Sequence, residues 1–215
     1  IEKYFGDWKE GKNIKYPPKF VPSKSNGINV RFIDSPNLSK PQFSILMPGL
    51  YANDPDFLSF YSSFYILESS RQSKIFKSIQ SISGNWDDYS GGFAWENTFN
   101  YVWFEYKPSY SDIDKMYNLI KDEIKKTGQN NITNDEFLQY QKHQIGKKII
   151  KFQHPTNWNR WVLGELSAGQ PMDNIINWNK KLEAITLEDI NTAGKRYLDY
   201  ENFYLIVFGD KDSTA

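Results

Sequence analysis

The chain has no cysteine and only two histidines in 215 residues. Without cysteine there are no disulfides, no thiolate nucleophile and no sulfur-ligated metal, although periplasmic and cytosolic proteins both manage without it, so the compartment stays open. His143 and His154 have no glutamate beside them, and the sequence His-x-x-Glu-His occurs nowhere. They read as one helix-surface and one loop histidine, since a zinc site needs at least three convergent ligands. An excess of either charge is also missing: Lys plus Arg number 26 and Asp plus Glu number 26. With no run of five or six like charges, nothing attracts a polyanion, and nucleic acid is excluded as a partner. The longest apolar run, Phe203 to Phe208, is far short of the ~18 residues of a membrane helix. Residue 1 is an isoleucine followed by charged residues rather than by a signal-peptide core, so the chain reads as a piece of a longer one.

Several catalytic classes fall away for want of a motif. There is no Gly-x-Gly-x-x-Gly, no phosphate loop and no Gly-x-Ser-x-Gly elbow, which removes the motif support for nucleotide binding and for a serine nucleophile around Ser62-Ser63 or Ser69-Ser70. The adjacent carboxylates Asp87-Asp88 read as a solvated turn pair rather than an acid–base pair. No catalytic residue and no metal ligand is assigned.

What is present is periodic. The length suits one sizeable α/β core. Ile1 to Trp8 reads as the last turns of a preceding helix and Lys9 to Asn29, Pro-rich and polar, as a linker, so the expected division is 1–29 linker, 30–210 domain and 211–215 tail. Val30 to Ile33 and Gln42 to Met47 are short apolar runs bounded by turn residues, as in strands. Asn53-Asp54-Pro55 places a capping side chain before a proline, so a helix is expected to start there. Phe57, Leu58, Tyr61, Phe64 and Tyr65 carry its stripe, and after a polar break at Glu68 to Gln72 the stripe resumes at Ile75, Phe76, Ile79 and Ile82. Gly84 to Gly92 is turn-rich, and Thr98 to Tyr106, dense in β-branched and aromatic residues, is a strand paired with residues near Trp86 to Phe93. A helical stripe from Ile113 to Ile124 ends at Gly128, a residue suited to the left-handed position past a helix end. Thr133-Asn-Asp-Glu136 fits a capping box for a helix to about Lys151, with further helix starts at Pro155, Pro171 and Thr186. Phe203 to Phe208 then predicts a strand buried on both faces or lying within the sheet. The order of elements argues for an α+β two-layer domain, helices on one face of a mixed or antiparallel sheet.

Three stretches carry a family resemblance: Ile1-Glu-Lys-Tyr-Phe-Gly-Asp-Trp8, Ser73-Lys-Ile-Phe-Lys-Ser-Ile79, and Ile185-Thr-Leu-Glu-Asp-Ile-Asn191 running into Phe203-Tyr-Leu-Ile-Val-Phe-Gly-Asp210. In order and spacing they resemble the C-terminal, non-zinc domain of the pitrilysin/insulinase (inverzincin) zinc metallopeptidases, with the mitochondrial processing peptidase-like fold. The resemblance implies that zinc sits in an upstream homologous half, in the same chain or in a partner subunit, and that the two halves close over an unfolded peptide, leaving this segment inactive alone. In such domains an Arg, and seven positions later a Tyr, contact the substrate. The ungapped match puts Lys74 at the first Arg of the element, Gln80 at the substrate-contacting Arg and Asp87 at the Tyr, with Tyr89 restoring the phenol if two residues are inserted. Gly91 and Gly92, beside Tyr89, read first as a plain hairpin turn, with close backbone approach to a bound chain as the functional alternative. The candidate substrate-side residues are therefore Lys74, Gln80, Asp87 and Tyr89 from the resemblance and Gly91 and Gly92 from their backbone freedom, and the periplasm or cell envelope is favoured over the cytoplasm.

Because a guanidinium donates two charge-assisted hydrogen bonds and Gln80 only a neutral one, an inactive structural or binding homologue is the alternative. A carbohydrate- or peptide-binding module built on exposed tryptophans is a third reading, given 15 Phe, 14 Tyr and 7 Trp. It predicts an exposed aromatic stripe. The peptidase-half reading predicts instead a sheet with one wet, concave face turned toward a missing partner.

Overall fold

The computed structural model of the chain describes residues 2–9, 11, 18, 25–82, 88–95, 99–167 and 171–213. Most of the expected linker, and Trp86 and Asp87, lie outside them. Five strands form one sheet: β1 (Asn29–Asp34), β2 (Gln42–Pro48), β3 (Tyr89–Trp95), β4 (Asn100–Tyr106) and β5 (Tyr204–Gly209), in the order β1-β5-β2-β4-β3. β1 and β5 are parallel and the other pairs antiparallel, so the sheet is mixed. The described helices are α1 (Glu2–Phe5), α2 (Phe57–Leu67), α3 (Lys74–Ile79), α4 (Ile113–Gly128), α5 (Asn134–Lys151), α6 (Pro155–Ser167), α7 (Met172–Ile176), α8 (Trp178–Ala184) and α9 (Leu187–Tyr197). The protein is thus an α+β domain.

The period-2 alternation of β2 and β4 decides which side is covered. Phe43, Ile45 and Met47 pair with Tyr106, Phe104 and Val102, and all six are buried. They pack with Phe60, Phe64, Ile75, Met116, Ile120 and Ile124 of α2, α3 and α4 into one core. A second cluster, Ile66, Ile132, Phe137, Tyr140, Leu182 and Ile190, carries α5 and α8 on the far side of α2. Burying Phe, Ile or Met side chains of this kind contributes roughly 1.5–3 kcal/mol each.

Local signals act where they stand. Thr133 Oγ1 accepts from the Glu136 N–H and the Glu136 carboxylate from the Thr133 N–H, closing the expected capping box of α5, and Thr186 with Asp189 does the same for α9. The helix expected at Asn53 to Pro55 begins later, at Phe57. Asp54 turns its carboxylate back to accept from the Tyr51 N–H at 2.6 Å and so caps a turn, while Asp56 at the N-cap accepts from Arg196 and Tyr197 of α9. Gly128 is the last residue of α4 rather than its left-handed terminator, a conformation taken by Asn130 (φ 65°). A side chain at 128 would meet the Leu198 carbonyl at 3.0 Å, so close approach to α9 explains that glycine. Gly91 and Gly92 lie inside β3, paired with Phe104 and Trp103, and not in a turn. β5 sits within the sheet, between β1 and β2, but the described helices cover only the face that carries Leu205 and Val207.

Candidate functional site

The edge strand β3 and the end of α2 organise the residues that the sequence singles out. Ser73 caps α3 by accepting from the Phe76 N–H, and its hydroxyl lies 3.3 Å from the Tyr89 hydroxyl. Tyr89 is buried, its ring on the covered face against Tyr106 and Phe76. Its hydroxyl also donates to Glu68, the C-cap residue of α2, which receives a second bond from Ser69 Oγ at 3.0 Å. Glu68 is fully buried, and burial pushes its carboxyl up to about 7 against the pull of these two bonds. The carboxyl end of a helix, with its partial negative charge, disfavours the ionised form further. Among the described residues Glu68 Oε1 and the Tyr106 hydroxyl have no hydrogen-bond partner.

Gly91 exists because of this carboxyl. A Cβ on Gly91 would lie 1.9 Å from Glu68 Oε1, and one on Gly92, on the opposite face, 2.5 Å from the Trp103 ring. The two glycines thus let a helix end press on β3 from one side and an indole from the other. Phe93 then enters a nest of Phe57, Phe60, Tyr61 and Phe64 that fixes β3 to α2.

The six sequence-derived positions do not form one cluster. Lys74 is turned to α5, its Nζ 2.8 Å from Glu136 Oε1 with only 10 % of its side chain exposed. Burial alone would raise the Glu136 carboxyl, and the bonds from Lys74 and Thr133 outweigh it and hold it below its ordinary value. Gln80 is the exposed C-cap of α3. Tyr89 and Gly91 face the covered side, Gly92 the uncovered side, and Asp87 lies outside the described residues. Its neighbour Asp88 pairs with Lys40 at 2.9 Å.

The uncovered face of the sheet carries Leu46, Tyr101, Trp103, Tyr204, Ile206 and Phe208, in register across β2, β4 and β5. These side chains are half-buried, or exposed at Tyr204, and no described helix packs on them. The rings of Trp103 and Tyr101 pack at a tilt with centroids 5.7 Å apart. Sequence alternation in Thr98 to Tyr106 already separates Tyr101, Trp103 and Glu105 from their buried neighbours. Nothing local announces Glu68, because its burial arises where α2 meets β3.

No group of three or more His, Cys, Asp or Glu among the described residues is placed to hold a metal ion. His143 lies on α5 and His154 just before α6, and the described side chains do not fit a zinc ion.

Residues 1–143 match the family described as the peptidase M16 inactive domain. The chain belongs to that family. Its solved relatives share the fold at low sequence identity. One is the peptidase M16 inactive domain from Pseudomonas fluorescens, 15 % identical, TM-score 0.75, with 92 % of this chain and 47 % of that one covered. A protease from Helicobacter pylori is 10 % identical, TM-score 0.81, with 97 % and 51 % covered. The periplasmic protease PqqL from Escherichia coli is 15 % identical, TM-score 0.67, with 87 % and 21 % covered. The chain spans about half the length of the first two. A comparison with curated proteins gives no match. As an M16 inactive domain the chain is a non-catalytic homologue in a pitrilysin/insulinase-like family of zinc proteases. No described helix is long and apolar enough to cross a membrane.

Proposed function

We propose that this M16 inactive domain is the non-catalytic half of a zinc metalloendopeptidase, closing a chamber over an unfolded peptide while a homologous half, in the same chain or in another subunit, holds the zinc. The observation that carries this is the uncovered sheet face: an apolar and aromatic surface in strand register, opposite the face that the described helices cover, is what a missing layer would bury. It also separates this reading from a lectin-like module, since the aromatics here lie in a sheet face that also carries Leu46 and Ile206.

This half contributes surface rather than charge to the reaction. Lys74 is committed to Glu136, position 80 carries no charge, and the Tyr89 hydroxyl bonds into the interior, so no cation of this set is aimed at a developing oxyanion. We assign direct peptide contact to Gln80, to Gly92 and, from the sequence match alone, to Asp87; Tyr89 and Gly91 support β3, and Lys74 ties α3 to α5. The periplasm or cell envelope is the compartment that the likeness to PqqL supports.

The test is reconstitution with the zinc-bearing half, read by light scattering and by cleavage of an unstructured fluorogenic peptide. A complex with activity absent from either part is expected, and Leu46→Asp with Trp103→Ala should weaken it by at least about tenfold, the effect of ~1.4 kcal/mol at one interface. Full activity of the zinc half alone, without complex formation, sinks the proposal. A complex that forms and cleaves nothing identifies the inactive scaffold instead.

A further inference from the structure

A cavity of about 170 Å³ lies between α5, α6 and α8, away from the sheet. Its walls are Tyr61 of α2 with Phe152, Trp161 and Trp178, and its charged and amide groups are Gln144, Lys147, Lys148 and Lys151 of α5 with Glu165 of α6. Gln144 and Lys148, four residues apart, stand one above the other on the same helical face. Lys148 Nζ lies 4.1 Å from the Trp161 centroid, 5.2 Å from Trp178 and 5.8 Å from Phe152, but makes no ion pair or hydrogen bond among the described residues. The Gln144 side-chain nitrogen is buried with no acceptor either. Glu165 does not resolve this. It takes the Trp161 indole N–H, and burial pushes its carboxyl up.

The site therefore holds two donors, Gln144 and Lys148, that no described acceptor meets, inside aromatic walls. Ring faces stabilise an ammonium but take none of its N–H bonds, and an unmet buried donor costs about 1–3 kcal/mol. Consistently, burial pushes the Lys148 ammonium down to about 8, against the opposing pull of Glu165 and helped by Lys151. A single anionic acceptor placed between Gln144 and Lys148 would satisfy both. An apolar cavity of ~150 Å³ admits a benzene ring, so the volume here suits one aromatic ring.

We propose that this cavity binds an arylcarboxylate, with its ring between Trp161, Trp178 and Phe152 and its carboxylate on the Gln144 side-chain nitrogen and Lys148 Nζ. Lys147 and Lys151 at the mouth favour an anion over a neutral ring. The chemistry is shared by a free small acid and by a peptide ending in phenylalanine. The site is independent of the chamber reading, since it uses none of the uncovered sheet face.

The test is calorimetric titration of the chain with phenylacetate, with an N-acetylated tetrapeptide ending in Phe as the free acid, and with the same peptide as the C-terminal amide. Saturable binding with Kd on the order of 1 mM or tighter is expected, as suits a ligand of about ten non-hydrogen atoms. The amide should bind at least about tenfold more weakly than the acid, equivalent to ~1.4 kcal/mol, and Lys148→Met should lower acid affinity by a similar factor. Acid peptide bound more tightly than phenylacetate assigns the site to peptide C-termini, and equal affinities assign it to small acids. Acid and amide binding alike, or saturable binding of neither acid, overturns the proposal with the unsubstituted chain alone, whatever the variant's folding. Unchanged acid binding by a folded Lys148→Met protein overturns it as well.

Discussion

Replacing Glu68 by glutamine tests whether α2 ends on a neutral acid. In the fold its carboxyl is raised from the ordinary 4.5 to about 7, with burial as the main cause. For an acid whose folded value is raised, the native state binds more protons than the unfolded chain between those two values, so stability falls as pH rises from about 4.5 to 7. Each unit is ~1.4 kcal/mol, so the raised Glu68 carboxyl weakens the fold by roughly 3 kcal/mol at pH 8 but only about 1 kcal/mol at pH 5. The substituted amide would keep an acceptor for Tyr89 and Ser69 without the charge. Urea unfolding of both proteins should show the Glu68→Gln variant gaining on the parent by about 2 kcal/mol more at pH 8 than at pH 5. Comparing the two proteins at each pH cancels every other titrating group. A difference that is the same at both pH values, or that favours the parent more at pH 8, would refute the burial argument.

Gly91→Ala should destabilise by about 2–4 kcal/mol, because the new methyl meets a carboxyl that has no room to leave, and Glu68→Ala in the same chain should recover part of that loss. Gly92→Ala meets only the Trp103 ring, which can swing outward from the uncovered face, so less than about 1 kcal/mol is expected together with a shift in tryptophan fluorescence. Equal losses at the two glycines in urea unfolding would contradict the assignment of faces. Thr133→Ala removes the side-chain half of a complete capping box and should lose about 1 kcal/mol, measured in the same way. No loss would mean that the N-terminus of α5 is frayed in solution.

Local chemistry in the chain was enough to place the caps at Thr133 and Thr186, the two strands whose residues alternate, and the helix breaks at Pro155 and Pro171, because each depends on groups within four residues of one another. The same locality let the missing His-x-x-Glu-His and the neutral residue at position 80 be read directly. Contacts between distant segments were decided only by the tertiary structure. Asp54 and Pro55 carry a sound helix-start signal, yet the Tyr51 amide claims the Asp54 carboxylate and α9 claims Asp56, 140 residues away in the chain. Gly91-Gly92 looks like a turn until α2 and Trp103 approach β3 from opposite sides, and Tyr89, a candidate for the substrate, spends its hydroxyl on Ser73 and Glu68. Burial of Glu68, the pairing of β5 with β1, and the donor pair Gln144–Lys148 inside an aromatic wall have no local signature. Desolvation is a property of everything that surrounds a group, and the sequence names those neighbours without saying which of them arrive.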